Sequence, residues 1–150
     1  MNQEIFNKTH ILFDTESTTQ EEAFKAIAIY AYEKGFVNDA ETFFLGLKER
    51  EKEATTGFKD GIAIPHSKNK SVIKPGMFLV KFEHQIPWNA LDGKDVNVAF
   101  ALTIPEEGAT EHLKLLSLIA RKLIDNSFRE GILNENDPDK LAEIIDQISF

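Results

Sequence analysis

The sequence contains no cysteine, and this absence excludes several kinds of chemistry. Without thiols the chain forms no disulfide, builds no thiolate zinc site and offers no cysteine nucleophile. Basic residues are also few, since 17 Lys and Arg stand against 25 Asp and Glu and give a formal charge of −8. Nucleic acids and anionic membranes attract basic surfaces, so this charge argues against both as partners.

Long apolar runs are missing as well. No segment approaches the roughly 20 apolar residues of a membrane span, and MNQEIFNKTH at the start lacks the apolar core of a signal peptide. We therefore predict a cytoplasmic protein without direct membrane insertion. The chain has 150 residues, 42% of them hydrophobic, with no linker or repeat, which predicts a single domain over residues 1–150.

Apolar segments bounded by polar ones predict the strands of a β-sheet. They are HILFD at 10–14, IAI at 62–64, MFLVKFEH at 77–84 and VNVAFALTI at 96–104. The last segment is apolar almost throughout, which indicates a strand buried on both faces of the sheet.

Helices are predicted between these strands. Thr18 or Thr19, each followed three residues later by a Glu, forms a capping box for a helix that Gly35 ends. Further helix starts are expected near Asn38 or Asp39, at Thr110, at Ser127 for a short helical turn, and at Asp137-Pro138. Strands interleaved with helices predict a layered α/β (α+β) domain with a mixed β-sheet flanked by helices.

The four histidines are the first candidates for chemistry. His66 follows Pro65 in GIAIPHS, where an apolar strand gives way to a polar loop. Proline has no N–H for the β-ladder, so the imidazole is expected at the rim of the sheet on a constrained backbone. For His10 and His84, which lie in or at the end of strands, we expect a structural role or a solvated edge.

His112 and Arg50 each leave two interpretations open. His112 lies in the first turn of its helix, on the side of Leu115 and Ile119, so it is either a histidine packed on the inner face or part of an anion site. Arg50 continues the apolar stripe of Phe43 and Leu47. It either covers the core with its methylene groups or directs its guanidinium at an anion.

The segment ATTGFKDG supplies Thr55, Thr56 and two glycines for a turn with hydroxyls and free N–H groups. No HExxH spacing is present, and no metal or cofactor is predicted. A metal hydrolase built on His66, His84 and His112 is a minor alternative. An arginine, two histidines, hydroxyls and a helix N-terminus suit transient phosphoryl binding on an imidazole better, because such transfer needs mainly positioning and charge neutralisation.

These motifs resemble the fructose/mannitol class of EIIA proteins of the sugar phosphotransferase system. The segment EREKEATTGFKDGIAIPH resembles the active-site region, with the Arg50-Glu51 pair, the Thr55-Thr56-Gly57 turn and the strand that ends in His66. IPWNALDGKDVNVAFALTIP and HLKLLSLIARKL are similar too, with a second functional histidine at His112. Lys59 and Ser67 depart from the usual residues at their positions.

The resemblance implies a phosphotransferase that works through a phosphohistidine. His66 would accept the phosphoryl group from phospho-HPr through Nε2, with Nδ1–H held by a backbone carbonyl, and pass it to an EIIB domain for sugar uptake. His112 and Arg50 would stabilise the phosphoryl oxygens, and Thr55, Thr56 and Ser67 would bind them. The alternative is a phosphorylation-controlled regulatory protein of the same fold without a transport role.

Overall fold

A mixed β-sheet of six strands runs through the middle of the computed structural model, which describes residues 2–148. The strands are β1 (Ile11–Asp14), β2 (Gly57–Lys59), β3 (Ile62–Ala63), β4 (His66–Lys68), β5 (Gly76–Ile86) and β6 (Val96–Ile104). Their order is β1-β5-β6-β3-β2, and β4 also pairs with β6. The pairings of β1 with β5 and of β3 and β4 with β6 are parallel, and the others are antiparallel.

Strand β6 confirms the prediction for residues 96–104. It pairs with β5 on one side and with β3 and β4 on the other. Phe100 and Leu102 pack in one apolar cluster and Ala99 and Ala101 in another, on opposite faces of the sheet. Because both faces are covered, the strand needs apolar side chains at successive positions.

Five α-helices cover the two faces of the sheet and confirm the predicted α/β fold. They are α1 (Gln20–Glu33), α2 (Ala40–Glu53), α3 (Ala109–Lys122), α4 (Asn126–Asn134) and α5 (Pro138–Ile145). Helices α1 and α2 pack on one face, and α3, α4 and α5 pack on the other.

Three of the predicted helix starts, those of α1, α2 and α5, coincide with side-chain caps. The Thr19 hydroxyl accepts from the N–H of Glu22, and the Glu22 carboxylate accepts from the Thr18 N–H, so the predicted capping box is present. Asp39 caps α2 and Asp137 caps α5 in the same way.

Three predictions were wrong in detail. The segment ATTGFKDG is not simply a turn with free N–H groups: Gly57–Lys59 form strand β2, and the N–H groups of Thr56 and Gly57 donate to Glu51 and to the Thr55 hydroxyl.

The segment from Ser127 is not a short turn: α4 spans nine residues, because Phe128 and Ile132 bury their side chains in the core and Asp125 caps the start. The residues after Pro65 are not a loop: His66 opens strand β4, which pairs with β6. Within residues 2–148, no helix combines the length and apolar character needed to cross a membrane.

Candidate functional site

Strands β3 and β4 both pair with β6, and His66 comes directly after the proline at the break between them. Ile62 pairs with Val98 and His66 pairs with Leu102, so the register against β6 is unchanged across Pro65. The Pro65 carbonyl still accepts from the N–H of Leu102 at 3.0 Å, although proline offers no N–H of its own. The backbone of His66 is therefore held by pairing with β6 on both sides of the proline, and only the N–H that Pro65 lacks interrupts the ladder.

Two contacts define the protonation state of the His66 ring. Nδ1 lies 2.8 Å from the carbonyl oxygen of Ile64, and the Nε of Arg50 lies 3.2 Å from Nε2. A carbonyl only accepts and a guanidinium only donates, so Nδ1 bears the hydrogen and Nε2 presents a lone pair. The carbonyl contact expected from the sequence is present.

The surroundings of His66 favour the neutral ring. Burial lowers the pKa of His66, and the charge of Arg50 lowers it further. The hydrogen bond to Ile64 and the carboxylates of Glu51 and Glu53 act in the opposite direction but do not reverse the shift. The unprotonated imidazole, which is the nucleophilic form, is therefore the dominant form near neutral pH.

Arg50 reaches His66 from the last turn of α2. Its Nη1 donates to the carbonyl of Ala54 at 2.8 Å while its Nε donates to His66, so two contacts fix the plane of the guanidinium. The side chain is half-buried. The guanidinium is directed at Nε2 of His66 and the carbonyl of Ala54, and its predicted contact with an anion stays a prediction.

A glycine lets α2 approach β4 closely enough for this contact. A Cβ on Gly46 would lie 2.3 Å from Nδ2 of Asn69 and 2.5 Å from Oγ of Ser67. Asn69 itself donates to the Thr42 carbonyl of α2 at 3.2 Å. The helix therefore packs against the strand at a distance that a larger side chain would not permit.

The three predicted phosphoryl-binding hydroxyls lie in different settings. The Thr56 hydroxyl donates to Oε1 of Glu51 at 2.6 Å and accepts from Nε1 of Trp88 at 3.1 Å. The Thr55 hydroxyl accepts from the Gly57 N–H at 3.1 Å. Ser67 is buried beside α2, and as the neighbour of His66 on a strand it points to the opposite face. A phosphoryl role for these three residues stays a prediction.

His112 lies in the first turn of α3, whose N-cap, Gly108, provides no side-chain hydrogen bond. Its Nδ1 is buried and accepts or donates no hydrogen bond within the described part of the chain. Leu102, the parallel partner of His66, packs in the same cluster as Leu115 of α3. Parallel partners point to the same face, so both imidazoles lie on the α3 side of the sheet near the end of β6.

The other two histidines have the structural or solvated settings that were expected. His10 is buried, and its Nδ1 lies 2.9 Å from the Ile5 carbonyl oxygen and 3.1 Å from that of Met77. His84 is exposed on β5 beside Glu83. Among the side chains that the structure describes, which exclude those of residues 109 and 111, no three His, Cys, Asp or Glu cluster as metal ligands would.

A groove between α2 and β4 adjoins the site. Its walls include two acidic residues, Glu49 and Glu53, and three basic ones, Arg50, Lys68 and Lys70. The chain as a whole is acidic, but this groove offers both acidic and basic side chains to a partner.

Sequence reasoning assigned no individual role to Glu51, Gly46 or Trp88. Glu51 was noted only as part of a motif, and Gly46 has no spacing signal because its importance comes from contact with β4. Trp88 lies 32 positions from Thr56, and a contact at that separation follows from the tertiary fold alone.

Comparison with known proteins defines the family. The family model "Phosphoenolpyruvate-dependent sugar phosphotransferase system, EIIA 2" matches residues 4–148. The chain is 33% identical over 123 residues to the "PTS system fructose-like EIIA component" of Escherichia coli (strain K12), covering 82% of each chain.

Solved structures show the same fold. Nitrogen regulatory protein IIA-Ntr from Neisseria meningitidis matches with a TM-score of 0.85 and 29% identity over 95% of this chain and 97% of that one. Enzyme IIAMTL, in its complex with phosphorylated enzyme IIBMTL from Escherichia coli, matches with a TM-score of 0.79 and 19% identity over 95% and 97%. The chain belongs to the EIIA 2 family of the phosphoenolpyruvate-dependent sugar phosphotransferase system.

Proposed function

We propose that this protein is a phosphocarrier that accepts a phosphoryl group from phospho-HPr on Nε2 of His66 and passes it to an EIIB domain. The observation that supports this most is the pair of contacts on His66. Nδ1–H is held by the Ile64 carbonyl, and the Nε2 lone pair faces the guanidinium of Arg50. A neutral imidazole that directs one lone pair at a neighbouring cation has what a phosphoryl acceptor requires once that cation moves to the phosphoryl oxygens.

The transfer is a displacement at phosphorus. The Nε2 lone pair of His66 forms a bond to the phosphorus of the donor phosphohistidine as the donor's N–P bond breaks, and that electron pair returns to the donor imidazole. In the second step an EIIB nucleophile, usually a cysteine in this class, attacks the phosphorus and His66 recovers its lone pair. Nδ1–H stays bound to Ile64 throughout, so the ring keeps its orientation in both steps.

Arg50 and His112 are proposed to stabilise the charge on the phosphoryl oxygens. Arg50 already donates toward the position where the new bond forms, and its planar fork suits two oxygens at once. The Nδ1 of His112 is buried and has no partner among the described residues, so the ring would have to turn for this nitrogen to donate to the phosphoryl group.

Thr55 is proposed to add a hydroxyl contact. Ser67 is buried against α2 on the face opposite His66, so the predicted contact from its hydroxyl does not fit this arrangement. Thr56 cannot donate to a phosphoryl oxygen while it donates to Glu51.

The proposed partners follow from the family and from one of the structural relatives. Enzyme IIAMTL is recorded in complex with phosphorylated enzyme IIBMTL, which supports an EIIB partner for this chain. HPr as the donor and the cytoplasm as the location are implied by the resemblance of the motifs. We also propose that residues 1–150 form one EIIA domain, since the family match extends over 4–148.

The test is phosphotransfer from HPr, phosphorylated with phosphoenolpyruvate and enzyme I, read as intact mass. The wild-type protein should gain one phosphoryl group and pass it to members of a panel of EIIB domains. His66→Ala should gain none. Label that persists in His66→Ala would show that another residue is the acceptor.

A regulatory function is the second candidate, and the likeness to nitrogen regulatory protein IIA-Ntr favours it. In that case phosphorylation of His66 would control whether the protein binds a target protein, and no phosphoryl group would pass to an EIIB. The EIIB panel separates the two functions. Transfer to an EIIB supports transport, whereas a protein that is phosphorylated by HPr and discharges to no EIIB supports regulation.

A further inference from the structure

Three side chains from different parts of the chain form a continuous hydrogen-bonded series beside the site. Trp88 Nε1–H, from the connection between β5 and β6, donates to the Thr56 hydroxyl at 3.1 Å. That hydroxyl donates to Oε1 of Glu51 at 2.6 Å, and the Thr56 N–H donates to Oε2 at 2.7 Å. Both carboxylate oxygens of Glu51, in the last turn of α2, are thus bound by a single residue.

This series closes a short loop around Ala54. Glu51 lies three residues before Ala54 and Thr56 two residues after it, so the Glu51–Thr56 contacts fix the backbone on both sides. The carbonyl of Ala54 is the acceptor for Nη1 of Arg50. Trp88 anchors the series in the core, because it is buried with its ring centroid 5.4 Å from that of Phe24.

The orientation of Arg50 depends on that carbonyl. The guanidinium has two contacts, one to Ala54 and one to Nε2 of His66. If Ala54 shifts, the plane of the guanidinium turns and Nε no longer points at Nε2. An arginine side chain has many rotamers, so if one of its two contacts is lost the guanidinium no longer keeps a single orientation.

We propose that Glu51, Thr56 and Trp88 are positioning residues that orient Arg50 toward Nε2 of His66 through the carbonyl of Ala54. The proposal rests on the proposed function for its effect on phosphoryl transfer. Its structural part, the orientation of Arg50, does not depend on that function. None of the three side chains is proposed to touch the phosphoryl group.

Thr56→Val and Trp88→Phe are the decisive variants because neither changes a charge. Replacing Glu51 would itself alter the pKa of His66, since its carboxylate acts on the ring. Thr56→Val keeps the N–H bond to Glu51 and removes only the hydroxyl. Trp88→Phe keeps a ring in the core and removes the N–H donor.

The first readout is the pKa of His66 in the unphosphorylated protein, measured by NMR of the ring nitrogens. Arg50 lowers this pKa, so a variant that turns Arg50 away should raise it. We expect Thr56→Val and Trp88→Phe to raise it by less than Arg50→Ala does. In an Arg50→Ala background neither variant should shift it further, because the group through which they act is gone.

The second readout is the rate of transfer from phospho-HPr. Thr56→Val should slow it by about two- to tenfold, the effect of one hydrogen bond. Ser17→Ala is the matched control, because the buried Ser17 hydroxyl donates to an Asp14 carboxylate oxygen at 2.6 Å on another part of the fold. It should cost stability without changing the pKa of His66 or the rate.

The outcomes separate this proposal from the proposed function. The positioning role would be overturned if the pKa of His66 stays at the wild-type value in both variants. It would also be overturned if either variant shifts this pKa further in the Arg50→Ala background. Failure of phospho-HPr to label the wild-type protein would overturn the proposed function, while the pKa measurement would still test the orientation of Arg50.

Discussion

Nε of Arg50 lies 3.2 Å from Nε2 of His66, so a permanent cation donates to the one ring nitrogen that has a lone pair. The contact stabilises the neutral ring but occupies the lone pair that a phosphoryl acceptor must use. When a bond to phosphorus forms, the guanidinium has to move from the nitrogen to the oxygens around it. In the proposed transfer, Arg50 therefore lies beside the position where charge develops before the reaction begins.

Removing the guanidinium should slow transfer far more than it affects folding. Arg50→Ala is expected to reduce the rate from phospho-HPr by about a hundredfold, the effect of losing a donor to developing charge. Arg50→Lys should recover part of the rate, because an ammonium supplies charge without a planar fork. Stopped-flow mixing with phospho-HPr measures both.

Arg121→Ala is the control for this prediction, because Arg121 is exposed in the last turn of α3. It should leave the rate unchanged.

The pH profile of the transfer rate gives a second check on the role of Arg50. In the proposed transfer neutral His66 is the acceptor, so the rate should fall as pH drops through its pKa, and in Arg50→Ala that fall should occur at higher pH. Wild-type rates in both Arg50 variants would return Arg50 to a structural role.

The second prediction concerns the packing of α2 on β4. Gly46→Ala places a Cβ against Asn69 and Ser67 and should cost about 1–3 kcal/mol in overpacking, partly offset by about 1 kcal/mol of helix propensity. The methyl group meets side-chain atoms of Asn69 and Ser67, so these side chains give way, with loss of the Asn69–Thr42 hydrogen bond, or α2 moves away from β4 and takes Arg50 with it. Either change loosens the packing of α2 on β4. We expect slower transfer together with a higher pKa of His66.

Gly131→Ala, in α4, is the matched helical control. Its Cβ would meet only the Ile144 side chain, at 3.3 Å or more, which can adjust. This variant should be as stable as the wild type or more so, with an unchanged rate of transfer. A Gly46→Ala protein that behaves in the same way would show that the close approach of α2 is not needed.

The sequence predicted the parts of this fold that local rules determine. Strand β6 is apolar almost throughout because both of its faces are covered, and Thr19 and Asp137 cap helices where capping residues were found. Strand β4 was missed because HSK has no apolar alternation and is extended only through its pairing with β6. Helix α4 was underestimated because its stability comes from burying Phe128 and Ile132 in the core.

The same distinction applies to the site. The strand-proline break and the phase of an apolar stripe, both local patterns, made His66 and Arg50 candidates, and the family resemblance then assigned their roles. Trp88 and Gly46 were not predicted, because their effect depends on contacts between elements far apart in sequence. No spacing rule connects such positions.

The third prediction concerns the pH dependence of stability. Burial lowers the pKa of His10 despite its hydrogen bonds to Ile5 and Met77. As pH falls below the ordinary histidine pKa of about 6.5, the unfolded chain binds a proton that folded His10 does not, so the free energy of unfolding decreases. His66 contributes in the same direction.

His10→Asn keeps an N–H donor near the position of Nδ1 and does not titrate. Urea unfolding should show a smaller loss of stability between about pH 7 and pH 5 than in the wild type. His84→Asn is the control, since His84 is exposed on β5, and it should retain the wild-type pH dependence. An unchanged loss of stability in His10→Asn would show that His10 does not contribute to it.

The last prediction separates His112 from His66. His66 alone should bear the phosphoryl group, because its Nε2 emerges at a fixed strand break, whereas His112 lies in a helical first turn and is proposed to act only as a donor. His112→Ala should be labelled to completion by phospho-HPr but roughly two to three orders of magnitude more slowly. The label should be lost in mild acid and survive base, as expected of a phosphoramidate.

Two further variants identify the atom of His112 that is used. Nδ1 is the buried nitrogen without a partner among the described residues, and the amide nitrogen of Asn lies closer to that position than that of Gln. His112→Asn should therefore recover more of the lost rate than His112→Gln. Acid-stable label in the wild type would contradict the choice of a histidine acceptor. A Gln variant faster than the Asn variant would assign the contact to Nε2 of His112, because only Gln places its amide at that end of the ring.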